Sequence, residues 1–436
     1  MTKNKKAIYG WAIYDWANSA FATTVMAGFF PLFFKQFWSA GVDVNLSTAR
    51  LGLGNALAGL LVALLAPVLG AVADQGSARK QFLIGFAYLG VLMTAALPVV
   101  EKGRWEWAVA VYALGTIGFS GANVFYDALL PQVAAEKELD RVSSLGYALG
   151  YLGGGLLFFL NVMMTLKPAA FGLPDAVAAV RLSFLTVALW WGGFTVLTIL
   201  WVPSIPAARR RAGQNLFSGG LNQLADTFRE IRRLKTVWLF LLAYWCYIDG
   251  VDTIVRMAVD YGLSLGFGSE DLISALLIVQ FVGFPAAIGF GKLGALWGER
   301  RAIFLAIGGY ILITLWGAFM RHRGDFYVLA VLIGLVQGGI QALSRSYYAR
   351  LIPPDRSAQF FGFYNMLGKF AVILGPVMMA GAGLLARRWL MPPAPTPEQL
   401  LAVSQLAARW SIGSVILLFV AGAVLFCFAG NSKKGG

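Results

Sequence analysis

The sequence predicts an all-α membrane protein with twelve transmembrane helices in two pseudo-symmetric six-helix bundles, and three observations carry that reading. Of the 436 residues, 58% are apolar and 13% charged, against about 45–50% and 25% in a soluble domain, which excludes a soluble globular enzyme. The mean hydropathy of +0.70 extends along the whole chain, and twelve helices of about 20 residues need the roughly 240 apolar-dominated positions that it supplies. Charge clusters and Gly/Pro/Asn/Asp loops divide it into evenly sized apolar segments, and the two halves resemble each other.

In order, the segments run at about 9–38, 46–73, 81–100, 105–130, 143–166, 181–202, 236–262, 271–291, 302–320, 326–349, 358–386 and 408–429, each bounded by polar or turn-forming residues. The first follows a basic N-terminal stretch as a signal peptide would. It runs to about Trp38, contains Asp15 and shows no small-residue cleavage site, so it reads as an uncleaved span. Pro31, Pro285 and Pro376 lie within spans one, eight and eleven and predict kinks there. Gly146, Gly150 and Gly154 form a ridge on span five suited to close helix packing.

Residues 1–202 and 236–436 form the two bundles in this reading, joined by a cytoplasmic linker at 203–235 that opens with Pro203, Pro206 and Arg209-Arg210-Arg211. Leu221, Leu224, Phe228 and Ile231 share one helical face of the linker, which predicts an amphipathic helix lying in the plane of the anionic inner leaflet. Of the 35 Lys and Arg residues, 21 fall on the side of the termini, 11 on the opposite side and three inside spans. Basic residues concentrate in cytoplasmic loops, so both termini are placed in the cytoplasm. The net charge of +14 then reflects orientation in the membrane, and no nucleic-acid partner is expected.

A single histidine, His322, sits among loop charges, and Cys246 and Cys427 both lie in apolar runs. Zinc hydrolases, Ser-His-Asp machinery, disulfide frameworks and cysteine metal sites all lack the residues they need. The sequence therefore predicts no enzyme, no cofactor and no metal site. Gly70–Lys80 after span two has a counterpart in Gly291–Arg301 after span eight, an offset of 221. Pro131 with Asp140-Arg141 after span four is matched by Pro353 with Asp355-Arg356 after span ten. Two homologous six-span halves joined by a basic linker is the layout of the major facilitator superfamily.

Ionisable groups at bilayer depth are costly, about 2.5–3.5 kcal/mol each on insertion scales, and so mark cavities or pairs. Span seven carries Asp249, Asp252, Arg256 and Asp260 within one arc of about 80° at 100° per residue. Local pairing at i,i+4, Asp252 with Arg256 and Arg256 with Asp260, is the alternative account of that arc. Span one presents Asp15, Asn18 and Ser19 on one face, span four Asn123, Tyr126 and Asp127, and span ten Gln337, Gln341, Ser344 and Arg345; Lys369 on span eleven follows Asn365 by one turn. Spans one, four, seven and ten are the first helices of four three-helix units, and equivalent helices converge on a central cavity between the halves.

Five Asp face Lys369, Arg256 and Arg345 inside the membrane, so one or two protons, or a sodium ion, complete the balance. A buried carboxyl group can take a proton on one side and lose it on the other. The substrate-binding candidates are Asn18, Asn123, Tyr126, Asp249, Asp252, Arg256, Gln337, Gln341, Arg345 and Lys369, with Asp15, Asp127 and Asp249 as coupling acids. A zwitterion would place its carboxylate towards the basic groups and its amine towards the acids; a sugar would use Asn, Gln, Asp and Trp. Asp74, Arg79 and Lys80 at the end of span two are candidate gating residues, with ordinary positive-inside charge as the plainer alternative.

Tyr14-Asp15-Trp16-Ala17-Asn18-Ser19-Ala20-Phe21, Tyr126-Asp127-Ala128-Leu129-Leu130-Pro131, Asp249-Gly250-Val251-Asp252-Thr253 and Gln337-Gly338-Gly339-Ile340-Gln341-Ala342-Leu343-Ser344-Arg345-Ser346 together resemble the vacuole-effluxer family of the major facilitator superfamily. That family includes autophagy-related amino-acid exporters of the fungal vacuole and many bacterial relatives. The resemblance implies secondary transport by alternating access, with neutral amino acids as the fungal precedent, in a multi-pass protein of a bacterial inner membrane. Asp15, Asn18, Asp127 and Lys369 are also similar in placement to cation-site residues of the sodium/melibiose-type symporters, whose further acidic pair on span two is missing here, where Asn55 stands. The loop after span two departs from the superfamily form at Gln75, and its second-half counterpart lacks the acid at Ala295. The partners expected are a small-molecule substrate, a proton or sodium ion and the lipid bilayer, with the chain acting as a monomer. The alternatives are a sugar or other small-solute symporter and, from another class, a non-transporting membrane sensor or lipid scramblase.

Overall fold

The computed structural model describes residues 5–42, 44–76, 78–204, 227–264, 268–320, 322–370, 373–393 and 396–430. Among them, twelve helices are long and apolar enough to cross a membrane: Lys5–Trp38, Arg50–Asp74, Arg79–Val99, Trp105–Val133, Glu136–Leu166, Ala176–Trp201, Lys235–Val255, Glu270–Trp297, Glu299–Phe319, Arg323–Leu351, Pro354–Leu390 and Pro397–Phe428, spans one to twelve below. Large apolar side chains such as Leu189, Leu312 and Leu384 stay exposed on their outer faces, as a lipid solvent permits. No strand occurs among the described residues.

Local sequence explains where the helices start and bend. Asp175 accepts from the Ala178 N–H at 2.7 Å and caps span six. Thr396 and Gln399 exchange bonds of 3.0 and 3.3 Å ahead of span twelve, with Pro397 at the first helical position, the capping-box arrangement. Gly298 has φ +88° between spans eight and nine, a turn that a side chain would strain. Pro31 disturbs span one over a long stretch: π-helical turns at Phe21–Phe29 and Phe34–Trp38 flank it. Span eight runs through Pro285 as one helix, Ser269–Trp297.

Span eleven consists of two helices, Ser357–Phe370 and Leu374–Leu390. Pro376 is the third residue of the second helix, where an N–H would have no intrahelical acceptor in any case.

The chain divides into two compact units, one of Met1–Arg229 with Ile352–Met366, the other of Glu230–Leu351 with Leu367–Gly436. The division falls inside the expected linker, and the first part of span eleven groups with unit one. Of the proposed in-plane helix, Leu221 and Leu224 lie outside the described residues, while 227–233 is helical, with Phe228 exposed and Ile231 buried.

In unit one, span five holds span one at backbone distance. A Cβ at Gly153 would sit 2.6 Å from the Trp16 carbonyl oxygen, and one at Gly154 2.7 Å from Thr23 Oγ1, so only glycine permits the approach. In unit two, spans seven and twelve meet likewise: Gly250 lies under the Phe419 ring and Gly422 against Tyr247.

Candidate functional site

In unit one the polar face of span one meets that of span four. Asp15, Asn18 and Ser19 stand at i, i+3 and i+4, as do Asn123, Tyr126 and Asp127, so each trio lines one helical face. Asn18 Nδ2 donates to Asn123 Oδ1 at 2.6 Å. The Tyr126 hydroxyl reaches Asp15 Oδ2 at 3.2 Å, and the Ser19 hydroxyl reaches Asp15 Oδ1 at 3.4 Å. Asn365, on the part of span eleven that belongs to unit one, donates to Asp127 Oδ2 at 3.1 Å.

Two residues complete this cluster that residue type alone does not single out. Trp11 stacks on Tyr126 with ring centroids 4.3 Å apart and donates its indole N–H to the Tyr126 carbonyl at 2.7 Å, fixing the tyrosine that touches Asp15. Its position four residues before Asp15, on the same face, was the available signal. Gly150 of span five makes room for the acid: a Cβ there would lie 2.6 Å from Ser19 Oγ and 3.1 Å from Asp15 Oδ1.

In unit two, Asp249 is fully buried, and its bonds differ in kind. The carboxylate accepts from the backbone N–H groups of Leu374 at 3.0 Å and Gly375 at 2.9 Å, and from the Thr253 hydroxyl at 3.2 Å. These two amides open the second helix of span eleven, so Asp249 satisfies its first N–H groups from another span. Placing an acid at bilayer depth costs about 2.5–3.5 kcal/mol, and hydrogen bonds to a charged group contribute about 1.5–3 kcal/mol each. The cap therefore accounts for the acid without a ligand. Asp249, expected as a substrate contact and coupling acid, is engaged by these three donors.

Arg345 is buried at 2% exposure on span ten, beside the pair formed by Tyr247 and Ser344, whose hydroxyls are 2.6 Å apart. Asp252, Gln337, Gln341 and Lys369 are half-buried within unit two. Arg256 falls in the helix Lys235–Ser264, but its side chain is outside the described residues.

The candidate gating residues separate into two tasks. Asp74 pairs with Arg79 at 2.5 Å and accepts from the N–H groups of Ala358 at 3.2 Å and Gln359 at 2.8 Å. Arg79 in turn donates to the carbonyls of Pro354, at 3.1 Å, and Asp355. Asp74 and Arg79 thus latch the start of span eleven to the ends of spans two and three within unit one, although Gln75 departs from the superfamily loop. Lys80 stands apart from the latch. It donates to the Ile199 and Val202 carbonyls, both at 2.6 Å, and anchors the C-terminal end of span six, where a cation suits the helix dipole.

Twelve spans in two units, with polar side chains gathered on the first helices of the three-helix repeats, define a multi-pass membrane transporter of the major facilitator type. The fold is shared with the human organic anion transporter MFSD10 (TETRAN), at a TM-score of 0.67 and 14% identity over 96% of this chain and 99% of that one. It is shared equally with the proton:xylose symporter XylE bound to 6-bromo-6-deoxy-D-glucose, at a TM-score of 0.67 and 13% identity over 99% and 96%.

Residues 41–382 match the family described as vacuole effluxer Atg22 like, and the chain belongs to that family. An uncharacterized MFS-type transporter of Bacillus subtilis (strain 168), YxiO, is 39% identical over 96% of both chains. Autophagy-related protein 22 of Saccharomyces cerevisiae (strain ATCC 204508 / S288c) is 24% identical over 86% of both.

Proposed function

We propose that this protein is a proton-coupled carrier that exports a small polar solute, a neutral amino acid in the first instance, by alternating access across a bacterial inner membrane, with both termini in the cytoplasm. The observation that carries the reading is the hydroxyl pair at Asp15. Ser19 and Tyr126 can donate to a carboxylate or accept from a carboxylic acid, so the acid can change protonation without dismantling its surroundings. Asp127 beside Asn365 is the second coupling acid. Asn18, Asn123 and Tyr126 supply substrate contacts in unit one, and Gln337, Gln341, Arg345 and Lys369 supply them in unit two. The Asp74–Arg79 latch breaks and reforms during the cycle. Membership in a family of vacuole effluxers supports the outward direction, and the fungal exporters that the motifs resemble support the cargo.

The test is uptake and counterflow in proteoliposomes with panels of amino acids and sugars under an imposed pH or sodium gradient. Neutral amino acids accumulating on a pH gradient alone is the expected result. Sugar-only counterflow would overturn the cargo, a strict sodium requirement the proton, and no counterflow for any solute the carrier reading itself.

A further inference from the structure

The segment 354–359 at the start of span eleven is held by more than the latch. It is a single 3₁₀ turn, Pro354–Arg356, that leads into the helix Ser357–Phe370. Asp74 accepts its Ala358 and Gln359 amides, Arg79 donates to its Pro354 and Asp355 carbonyls, and the Ser357 hydroxyl donates to the Ala128 carbonyl of span four at 2.7 Å. A further hold comes from the linker. Thr227, on the helical stretch 227–233 and within unit one, is fully buried. Its hydroxyl oxygen accepts from the Arg356 guanidinium at 2.7 Å and from the side-chain amide of Gln359, two bonds that the lone pairs of one hydroxyl allow.

Arg356 also reaches the Gln359 side-chain oxygen at 3.4 Å, so one linker oxygen closes a ring with residues 356 and 359. That ring spans the turn between the carbonyls that Arg79 holds and the amides that Asp74 holds. The next linker residue, Phe228, stands with its ring centroid 6.3 Å from that of Phe363, one helical turn beyond Gln359. Gln359 is the shared residue: its backbone N–H donates to Asp74 Oδ2 at 2.8 Å while its side chain donates to Thr227. The Ala358 and Gln359 amides are the second and third of their helix, positions for which the helix itself supplies no acceptor. Asp74 therefore shields them from water, and their exchange rate reports whether the latch is closed.

We propose that Thr227 is a positioning residue of the latch. Its hydroxyl fixes Arg356 and Gln359 so that the start of span eleven keeps its amides on Asp74 and its carbonyls on Arg79, and release of the linker from Arg356 and Gln359 frees the segment when the latch opens. The linker then does more than join the halves, since its docking sets how readily the latch breaks. This rests on the reading that the latch breaks and reforms during the cycle, and it holds whatever the cargo.

The experiment is hydrogen–deuterium exchange of the full chain in nanodiscs, read by mass spectrometry on the peptide that contains Ala358 and Gln359, alongside counterflow in proteoliposomes. T227V keeps the shape of the side chain and loses the acceptor, so it should speed exchange of the two amides about tenfold, the effect of one hydrogen bond, while T227S keeps the wild-type rate. D74A should speed exchange further, and T227V added to D74A should change nothing more, because residues acting through one contact do not add. Counterflow rates should shift in the same direction in T227V and D74A. Unchanged exchange in T227V, an equal rise in T227S, or full additivity with D74A would each overturn the proposal. Faster exchange with wild-type counterflow in both variants would instead overturn the latch as a moving gate, and this proposal with it. Should T227V not fold, Q359M removes the side-chain donor, keeps the backbone N–H and should give the same tenfold rise; wild-type exchange in that variant would overturn the proposal equally.

Discussion

Asp15 in unit one and Asp249 in unit two occupy corresponding helices, the first and the seventh, yet their surroundings differ in kind. Asp15 is met by two hydroxyls, from Ser19 and Tyr126. Asp249 is met by two backbone amides, from Leu374 and Gly375, and one hydroxyl, from Thr253. A hydroxyl can serve either protonation state of a carboxyl group, whereas an amide N–H can only donate. The contrast teaches that two buried acids on corresponding helices can meet partners of different chemistry, whatever their depth. On the proposed reading, an acid among hydroxyls exchanges a proton, and one on a helix start belongs to the framework.

The largest effect that would sharpen this contrast is expected at Asp15. Asp15→Asn keeps the shape and removes the exchangeable proton, so pH-gradient-driven accumulation in proteoliposomes should fall to the level of empty vesicles. Counterflow, which needs no net proton movement, should persist, and the melting temperature should stay at the wild-type value. Retained gradient-driven accumulation would remove Asp15 from the coupling step.

Next come Asp249→Asn and Gly375→Ala, which attack the cap from its two sides. The asparagine turns an N–H group towards donors that need an acceptor, and leaving a buried amide unsatisfied costs about 1–3 kcal/mol. The alanine Cβ would lie 1.9 Å from Thr253 Oγ1 and 2.9 Å from Asp249 Oδ1, so the cap must open. Both variants should lower the melting temperature by several degrees, read by tryptophan fluorescence in detergent, while any protein that remains folded keeps a proton-coupled cycle. A D249N that melts like the wild type but transports without a pH dependence would invert the assignment of the two acids.

The sequence made the two faces of unit one readable, because i, i+3, i+4 spacing of polar residues in an apolar helix leaves no other interpretation of which side they share. Spacing cannot say what an opposing backbone offers. Asp249 belongs to the same pattern as Asp252 and Arg256 and reads as a pathway acid. Its partner, a helix start at Leu374, is hidden in an apolar run where Gly375-Pro376 is the sole punctuation. The partners of Lys80 were hidden for a related reason. It adjoins Arg79 in sequence and so reads as part of the latch, but its side chain reaches carbonyls at the end of span six, a partner 119 residues away along the chain. The twelve spans themselves follow from composition, since apolar length is a one-dimensional property, whereas the two-part build of span eleven depends on an acid from another helix.

The smallest expected effects give the cleanest comparison, since the same chemical group can be deleted beside each acid. Ser19→Ala and Thr253→Val each remove one hydroxyl that contacts a carboxylate and leave the rest of the network standing. If partner chemistry decides the role, the two deletions should register in different measurements. Thr253→Val should cost about 0.6 kcal/mol, the average of a side-chain hydrogen bond inside a membrane protein, and should leave gradient-driven uptake alone, because the two amides still hold Asp249. Ser19→Ala should leave the melting temperature within error, since Tyr126 still holds Asp15, but should slow gradient-driven uptake relative to counterflow, because one of the two groups able to follow the proton is gone. Measuring both ratios on both variants tests the contrast directly. A shared phenotype, with either variant changing stability and coupling together, would mean that the hydroxyls at Asp15 and Asp249 do the same job and that the distinction between a coupling acid and a framework acid fails.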